Sequence, residues 1–509
     1  MKHNRFLQFA LIAIVLVTLM GSTHTAGSAV KAQPELIQLA QNKPHQTVSL
    51  IIQKIGNTNS PEAQVEKLGG SVTRNLSIIN SFSAEMTAEA AAELSRMETV
   101  RWVSLDARVT SSACSQCVDT ANLANNSYIY TIRADKAWNS TPYPQGKNVG
   151  IAIVDSGINS SGDLYTNMGV NRQVANIRFN TDYNQNTSDG YGHGTHVSSV
   201  AAGDGSDSNG KYIGVAPMAN IINVKVANDD GSARLSDVIA GLQWILENKA
   251  AYNIRVANIS FNSTVEESYH TSPLDAAVEI LWFNKIVVVV SAGNQANGIL
   301  YPPANDPFVI TVGATDDKGT TSLNDDIVTS FSAYGITSDG VIKPDLVAPG
   351  KNIVARLVNT NMGMAKAHPA NVINQTYFKM SGTSVSAPMV SGAVAILLQS
   401  EPNLTPDQVK YRLTTTANKT WTGYSSTKAG AGYLDIYAAI KTKTTTSANI
   451  NTLPSQLLTT GSEPITWGST GWNSVGWNTV GWNTVGWNTV GWNTVGWNTV
   501  GWNTDYWDQ

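Results

Sequence analysis

Three short strings carry side chains that together could break an acyl bond: a serine in MSGTSVSAPMVSGAVAILL, a histidine in GHGTHVSSVAAG and an aspartate in VGIAIVDSGI. Ser384 follows Gly382 and Thr383 at the start of an apolar run. It therefore opens a helix, where backbone N–H groups favour the negative charge that attack by a serine creates. His193 is bracketed by glycines and leads into a helix. Its imidazole has the pKa to take a hydroxyl proton near neutrality and return it to a leaving amine. Asp155 ends a buried strand, at the sheet edge where open α/β sheets build their sites, and Gly157 turns the chain away. A nucleophile, a base and an orienting carboxylate are the parts of acyl-transfer catalysis. Each also has a plainer reading: Asp155 opens a turn, Ser381, Thr383 or Ser384 is an N-cap, and His193 with His196 is a metal pair. The metal pair lacks the Glu or third His that H-E-x-x-H sites require.

Holding three such residues together needs a scaffold, and the stretch from Ile132 to about Lys443 supplies one. Val/Ile-rich strands are expected at 149–155, 221–226, 256–260, 286–293 and 308–314, with helices at 194–202, 235–248 and 273–284 between them. Near-continuous apolar strands alternating with helices predict a parallel sheet buried on both faces. Upstream, residues 44–109 follow the order βαββαβ: strand 47–55, helix 60–68, strands 71–75 and 81–87, helix 88–97 and strand VRWVSL. A split βαβ unit of that length could fold around one small sheet. Residues 110–131 are Ser/Thr/Asn/Ala-rich and read as a linker.

Charged residues are only 14% of the 509 residues and the net charge is -4, so the footprint that nucleic acid demands is missing. Lys2 and Arg5, an apolar run from Phe6 to Met20 and small residues up to Ala32 read as a signal peptide over 1–32, cut after Ala32 or alternatively Ala26. An uncleaved anchor is the other reading, against which the run is short. An exported, extracellular protein is expected. Cys114 and Cys117 are a disulfide candidate, since no further ligands for a zinc site stand near. A linker at 446–466 leads to a pentapeptide array in which GWN occurs seven times and Trp recurs every five residues from Trp467 to Trp507. Such an array either stacks or stays a low-complexity tail. Its Trp rings could bind a surface, matrix or carbohydrate, which is a second reading of the whole chain's purpose.

In its motifs the chain resembles the subtilisin-like serine proteases, or subtilases: DSG, HGTHV and GTSxSAP stand in that family's order, joined by GVAP (214–217), YPP (301–303) and KPDLVAPG (343–350). The resemblance spans about 131–443. It implies an α/β fold with a parallel β-sheet flanked by helices over 113–445, and a serine endopeptidase with Asp155, His193 and Ser384 as triad and Asn294 as oxyanion donor. It implies that Ser260, Phe261, Asn262, Ser291, Ala292, Gly293 and Leu300 line the substrate site, and that the partners are protein or peptide substrates. It implies further that residues 33–112 are a small α+β propeptide that inhibits its own enzyme, cut between 109 and 114, best at Ser112-Ala113. Here the family's Ser-x-Gly reads Ser260-Phe261-Asn262, and Leu300 stands where small residues are common; a primary pocket for small or medium side chains follows. No cofactor is required and no metal ligand is assigned. The 203–213 loop differs from the family's calcium loop, so a structural calcium ion has no assignable ligands.

Overall fold

A computed structural model describes residues 30–56, 58–111, 126–165, 169–180, 186–296 and 298–458. The expected signal segment up to 29, Cys114, Cys117 and the Trp array lie outside the described residues.

The larger unit is built on an eight-stranded sheet. Its strands include β6 (Gly150–Asp155), β7 (Gln173–Arg178), β8 (Asn220–Lys225), β10 (Ile254–Ile259), β12 (Val287–Ser291), β13 (Ile310–Asp316) and β14 (Ile327–Val328), in the order β14-β13-β12-β10-β6-β8-β7. The strand Leu346–Pro349 pairs with β13, and every pairing is parallel except β13 with β14. Every residue of β6 and β12 is buried, as their unbroken apolar runs require of strands covered on both faces. Helices α4 (His193–Ala202), α5 (Leu235–Asn248), α6 (Pro273–Phe283) and α7 (Thr383–Ser400) flank the sheet. The sequence places five of these strands and the four helices within a few residues; β7, β14 and Leu346–Pro349 have no counterpart in that reading. Helix α7 is long and apolar enough to cross a membrane, but it is 89% buried inside the protein. It packs on β10, β12 and β13, so its hydropathy is that of a core helix. From β6 the chain fills one side of the sheet with β7 and β8, then crosses to β10. Asp155, at the end of β6, therefore lies at the switch point of the strand order.

The N-terminal unit holds α1 (Pro34–Asn42), β1 (Thr47–Lys54), α2 (Ser60–Lys67), β2 (Ser71–Leu76), β3 (Ser81–Thr87), α3 (Ala88–Leu94) and β4 (Val100–Leu105). Beyond α1, the order βαββαβ is as read from the pattern. The sheet is antiparallel, in the order β2-β3-β1-β4. Pro34 starts helix α1, Leu36 is fully buried, and Ile37, Leu39 and Ala40 pack on the same core. Strand β1 is covered on both faces. Val48, Leu50 and Ile52 point into the unit's own core, while Ile51, one step out of phase, joins Leu76 and Ile79 in the core of the larger unit.

Strand β5 (Arg108–Ser111) leaves the N-terminal unit and enters the other, where it pairs antiparallel with β11 (Phe261–Ser263) on one edge and β9 (Ser232–Arg234) on the other. Just before it, Asp106 caps helix α5 from outside: its carboxylate accepts the Ser236 N–H (2.9 Å) and Ser236 Oγ–H (2.6 Å). Arg74 pairs with Asp237 at 2.8 Å. The stretches read as linkers are thus partly structured: Thr110 and Ser111 are strand, Tyr128–Thr131 is a helical turn, and Pro454, Ser455 and Leu457 are buried. Low periodicity conceals a strand that finds its partners more than a hundred residues away.

Candidate functional site

The base side of the site is assembled by two buried carboxylates. His193 Nδ1 lies 2.8 Å from Asp155 Oδ1 and 3.0 Å from Oδ2, with both side chains fully buried. A carboxylate can only accept, so Nδ1 carries the proton and Nε2 is the basic atom. Asp155 is oriented in turn by the Ser156 N–H (2.8 Å). Ser156 Oγ bridges from Asp155 Oδ1 (3.2 Å) to Asp189 Oδ1 (2.9 Å) and accepts the Gly194 N–H. Asp189 also takes the N–H of Gly192 (2.7 Å), and the N–H (2.8 Å) and hydroxyl (2.7 Å) of Thr195. It thereby holds the first turn of α4, where Gly192 (φ 107°) leaves no side chain to cap it. Burial raises the Asp189 carboxyl above the ordinary aspartate value, and these hydrogen bonds oppose that rise. Sequence reasoning missed Asp189; its signal was an acid four residues ahead of a histidine that starts a helix.

His196 has a different task. Its Nε2 faces the carbonyls of Phe378 (3.1 Å) and Ile353 (3.3 Å), so Nε2 carries the hydrogen. Burial, with His193 close by, pushes its pKa down to about 3. His196 is thus held by Nε2 on two main-chain carbonyls, and His193 by Nδ1 on Asp155. Among the described residues no three His, Cys, Asp or Glu side chains could hold a metal ion. In the 203–213 loop Asp207 pairs with Arg356 (3.1 Å) and Asp204 accepts the Ser206 N–H (2.9 Å).

The nucleophile side rests on a proline. Ser384 is the second residue of α7, and Pro388, four residues on, lacks the N–H that would bond the Ser384 carbonyl. That carbonyl instead accepts from Ser260 Oγ (3.0 Å), which accepts from Asn258 Nδ2 (3.0 Å); Asn258 Oδ1 accepts from Ser391 Oγ (2.8 Å). A buried chain of hydrogen bonds thus ties the nucleophile's backbone to β10 and to the strand that pairs with β5. Neither Ser384 Oγ nor His193 Nε2 has a hydrogen-bond partner among the described residues, although both are buried. Asn294 presents Oδ1 to the Thr383 N–H (2.9 Å) and hydroxyl (3.0 Å). A backbone N–H can meet only an acceptor, so the orientation of this amide is fixed, with Nδ2 as its other end.

A sequence profile of the Subtilase family matches residues 146–433, more than half of the chain. This chain belongs to the subtilase family. It is 37% identical to serine protease AprX of Bacillus subtilis (strain 168) over 364 residues, covering 70% of this chain and 77% of that one. It is 31% identical to subtilisin DY of Bacillus licheniformis over 313 residues, covering 60% of this chain and 96% of the relative. The fold is that of fervidolysin from Fervidobacterium pennivorans, described as a keratinolytic enzyme related to subtilisin: TM-score 0.60 at 23% identity over 79% of this chain and 62% of that one. This subtilase is a subtilisin-like serine endopeptidase, whose substrates are proteins or peptides.

Of the residues that the resemblance assigns to the substrate site, Phe261 and Asn262 lie beside β5. Phe261 and Asn262 are in β11, and Ser260 immediately precedes it. Ser291 ends β12, and Ala292 and Gly293 follow. Asn262 Nδ2 donates to the Ser291 carbonyl (3.0 Å), so the side chain that replaces glycine spans from one strand to the other. Leu300 is buried, at 3% exposure.

Proposed function

We propose that the chain is an exported zymogen whose Asp155, His193 and Ser384 hydrolyse peptide bonds and whose residues up to 112 are an inhibitory propeptide. Ser384 Oγ attacks the scissile carbonyl carbon while His193 Nε2 takes its proton. Asp155, fixed on Nδ1, stabilises the imidazolium. The oxyanion rests between Asn294 Nδ2 and the Ser384 N–H at the start of α7. The C–N bond breaks, Nε2 gives the proton to the leaving amine, and an ester to Ser384 remains. Water, deprotonated by Nε2, then frees the acid and restores the Ser384 hydroxyl.

One observation carries this reading: β5 is hydrogen-bonded along both edges, as an extended substrate would be. Ser111 lies opposite Phe261, next to Ser260 and hence to the nucleophile's own carbonyl contact. This supports a cut between Ser112 and Ala113, after a small residue, and the Asn262 bridge supports a preference for small or medium side chains at the cleaved position. Lys31 donates through Nζ to the Met97 carbonyl (2.5 Å), and the Val103 N–H bonds the Lys31 carbonyl (3.0 Å). Those bonds favour signal cleavage after Ala26 over Ala32.

The full chain and Ser384→Ala, expressed without other proteases, test the proposal through their termini by mass spectrometry. Wild type is expected to be cut at 112–113 and the variant to stay whole; equal processing in both would mean that another enzyme makes the cut. A peptide-library profile dominated by bulky aromatics at the cleaved position would remove the pocket assignment.

A further inference from the structure

The family match ends at residue 433, and the described chain continues to Leu458 along a defined course. Tyr269 Oη donates to the Leu453 carbonyl (2.9 Å). The Ser455 N–H donates to both oxygens of the buried Glu279 carboxylate (3.0 and 2.8 Å). Ser455 Oγ (3.1 Å) and the Gln456 N–H (3.0 Å) both donate to the His270 carbonyl. These bonds lay the 3-10 turn Gln456–Leu458 on helix α6.

The same helix receives the prodomain's own 3-10 turn, Ser77–Ile79. Leu457, only 6% exposed, joins Ile51, Leu76 and Ile79 of the prodomain in one apolar cluster. Its carbonyl accepts a hydrogen bond from Gln53 Nε2 (2.7 Å), and the same nitrogen donates to the Ile79 carbonyl (3.0 Å). Gln53 is 4% exposed and sits on the outward phase of β1 with Ile51. A buried amide is costly unless bonded. Here the chain's C-terminal stretch supplies one of its two acceptors, and peptidase, prodomain and C-terminal extension meet at one point.

We infer that Leu453–Leu458 is part of the prodomain's docking surface, so that the C-terminal extension tightens the inhibitory complex and prodomain release uncovers the root of the segment beyond 458. The inference rests on the prodomain reading. It assigns a partner to a stretch that lies outside the catalytic apparatus.

The test uses the full chain as wild type, Gln53→Leu and Leu457→Asp. After autoprocessing, the lag before peptidase activity and the fraction of prodomain co-eluting with the enzyme are measured. Gln53 leaves with the prodomain, so the mature enzyme from Gln53→Leu has the wild-type sequence. Gln53→Leu removes the bond to the Leu457 carbonyl and Leu457→Asp puts a charge into the shared apolar cluster; both are expected to shorten the lag about tenfold or more and to reach the wild-type final activity. A wild-type lag unchanged in both overturns the contact while leaving the prodomain reading intact. A wild type that is active at once, with no fragment co-eluting, overturns both. Should Leu457→Asp fail to fold, hydrogen exchange of 449–458 in the wild type decides alongside Gln53→Leu. Exchange that rises at least tenfold on prodomain digestion supports the contact, and unchanged exchange sinks it.

Discussion

The two folded units use burial in opposite ways. The larger unit holds His193 and Ser384 on contacts within itself: Asp155 and Asp189 around α4, and Ser260, Asn258 and Ser391 around α7. The N-terminal unit spends one phase of β1 on its own small core and the other on its neighbour. A self-contained site can keep working after its partner leaves, whereas a strand shared between two cores gives up part of its burial when they separate. Changes in the peptidase should therefore alter rate, and changes on the outward phase of β1 should alter association.

The largest expected effect probes that division directly. Leu50→Ala opens a cavity in the small core and should cost the N-terminal unit about 2–5 kcal/mol, read as a lower unfolding temperature of the Ser384→Ala zymogen and a poor yield of processed enzyme. Ile51→Ala should instead shorten prodomain retention, with little change in yield. Identical behaviour of the two would erase the two-faced description of β1. On the peptidase side, Asn294→Ala should lower kcat roughly 10²–10³-fold with KM and prodomain retention nearly unchanged; a change confined to KM would deny it the oxyanion role.

Two smaller effects depend on pH. His196 titrates near 3 in the fold and near its ordinary 6.5 when unfolded, so the unfolded chain takes up a proton first as pH falls. Stability should decline by about 1.4 kcal/mol per unit below pH 6.5, and His196→Gln, which keeps a donor for the Phe378 and Ile353 carbonyls, should flatten that limb in denaturant titrations. Glu267 reports on the interface. Under the prodomain its carboxylate accepts Ser104 Oγ–H (3.1 Å), and burial, with Glu35 adding to it, raises its pKa to about 8. Release returns the carboxyl to water, so association should weaken by up to about tenfold per unit as pH climbs from about 4.5 to 8. Glu267→Gln should remove that slope from the lag kinetics, and a slope that persists would place the titrating group elsewhere.

Much of this was legible in sequence because it is local. The period of two in β1 and β3, the unbroken Val/Ile of β12 and the glycine-bounded strings around Asp155, His193 and Ser384 need no knowledge of distant partners. What escaped depends on long closures. Asp189 matters through the backbone of α4, Gln53 through a carbonyl 404 residues away, and β5 through edges supplied by residues 232–234 and 261–263. Helix α1 escaped for a different reason: its apolar face is carried by only nine residues. Among the described residues Ser384 Oγ and His193 Nε2 are both without a hydrogen-bond partner. Contacts between such groups commonly tighten only when substrate binds.

Pro388 has a consequence for anyone moving this chemistry elsewhere. In an ordinary helix the carbonyl at the nucleophile would be referenced to the helix's own coil and would travel with it. Here it is referenced to the floor of the cleft through Ser260. The Ser384 backbone is therefore located by Ser260 and only secondarily by its own helix. A transplant of 383–400 into a foreign scaffold would bring the sequence of the nucleophile without its coordinates, whereas 258–262 moved together with it would carry both.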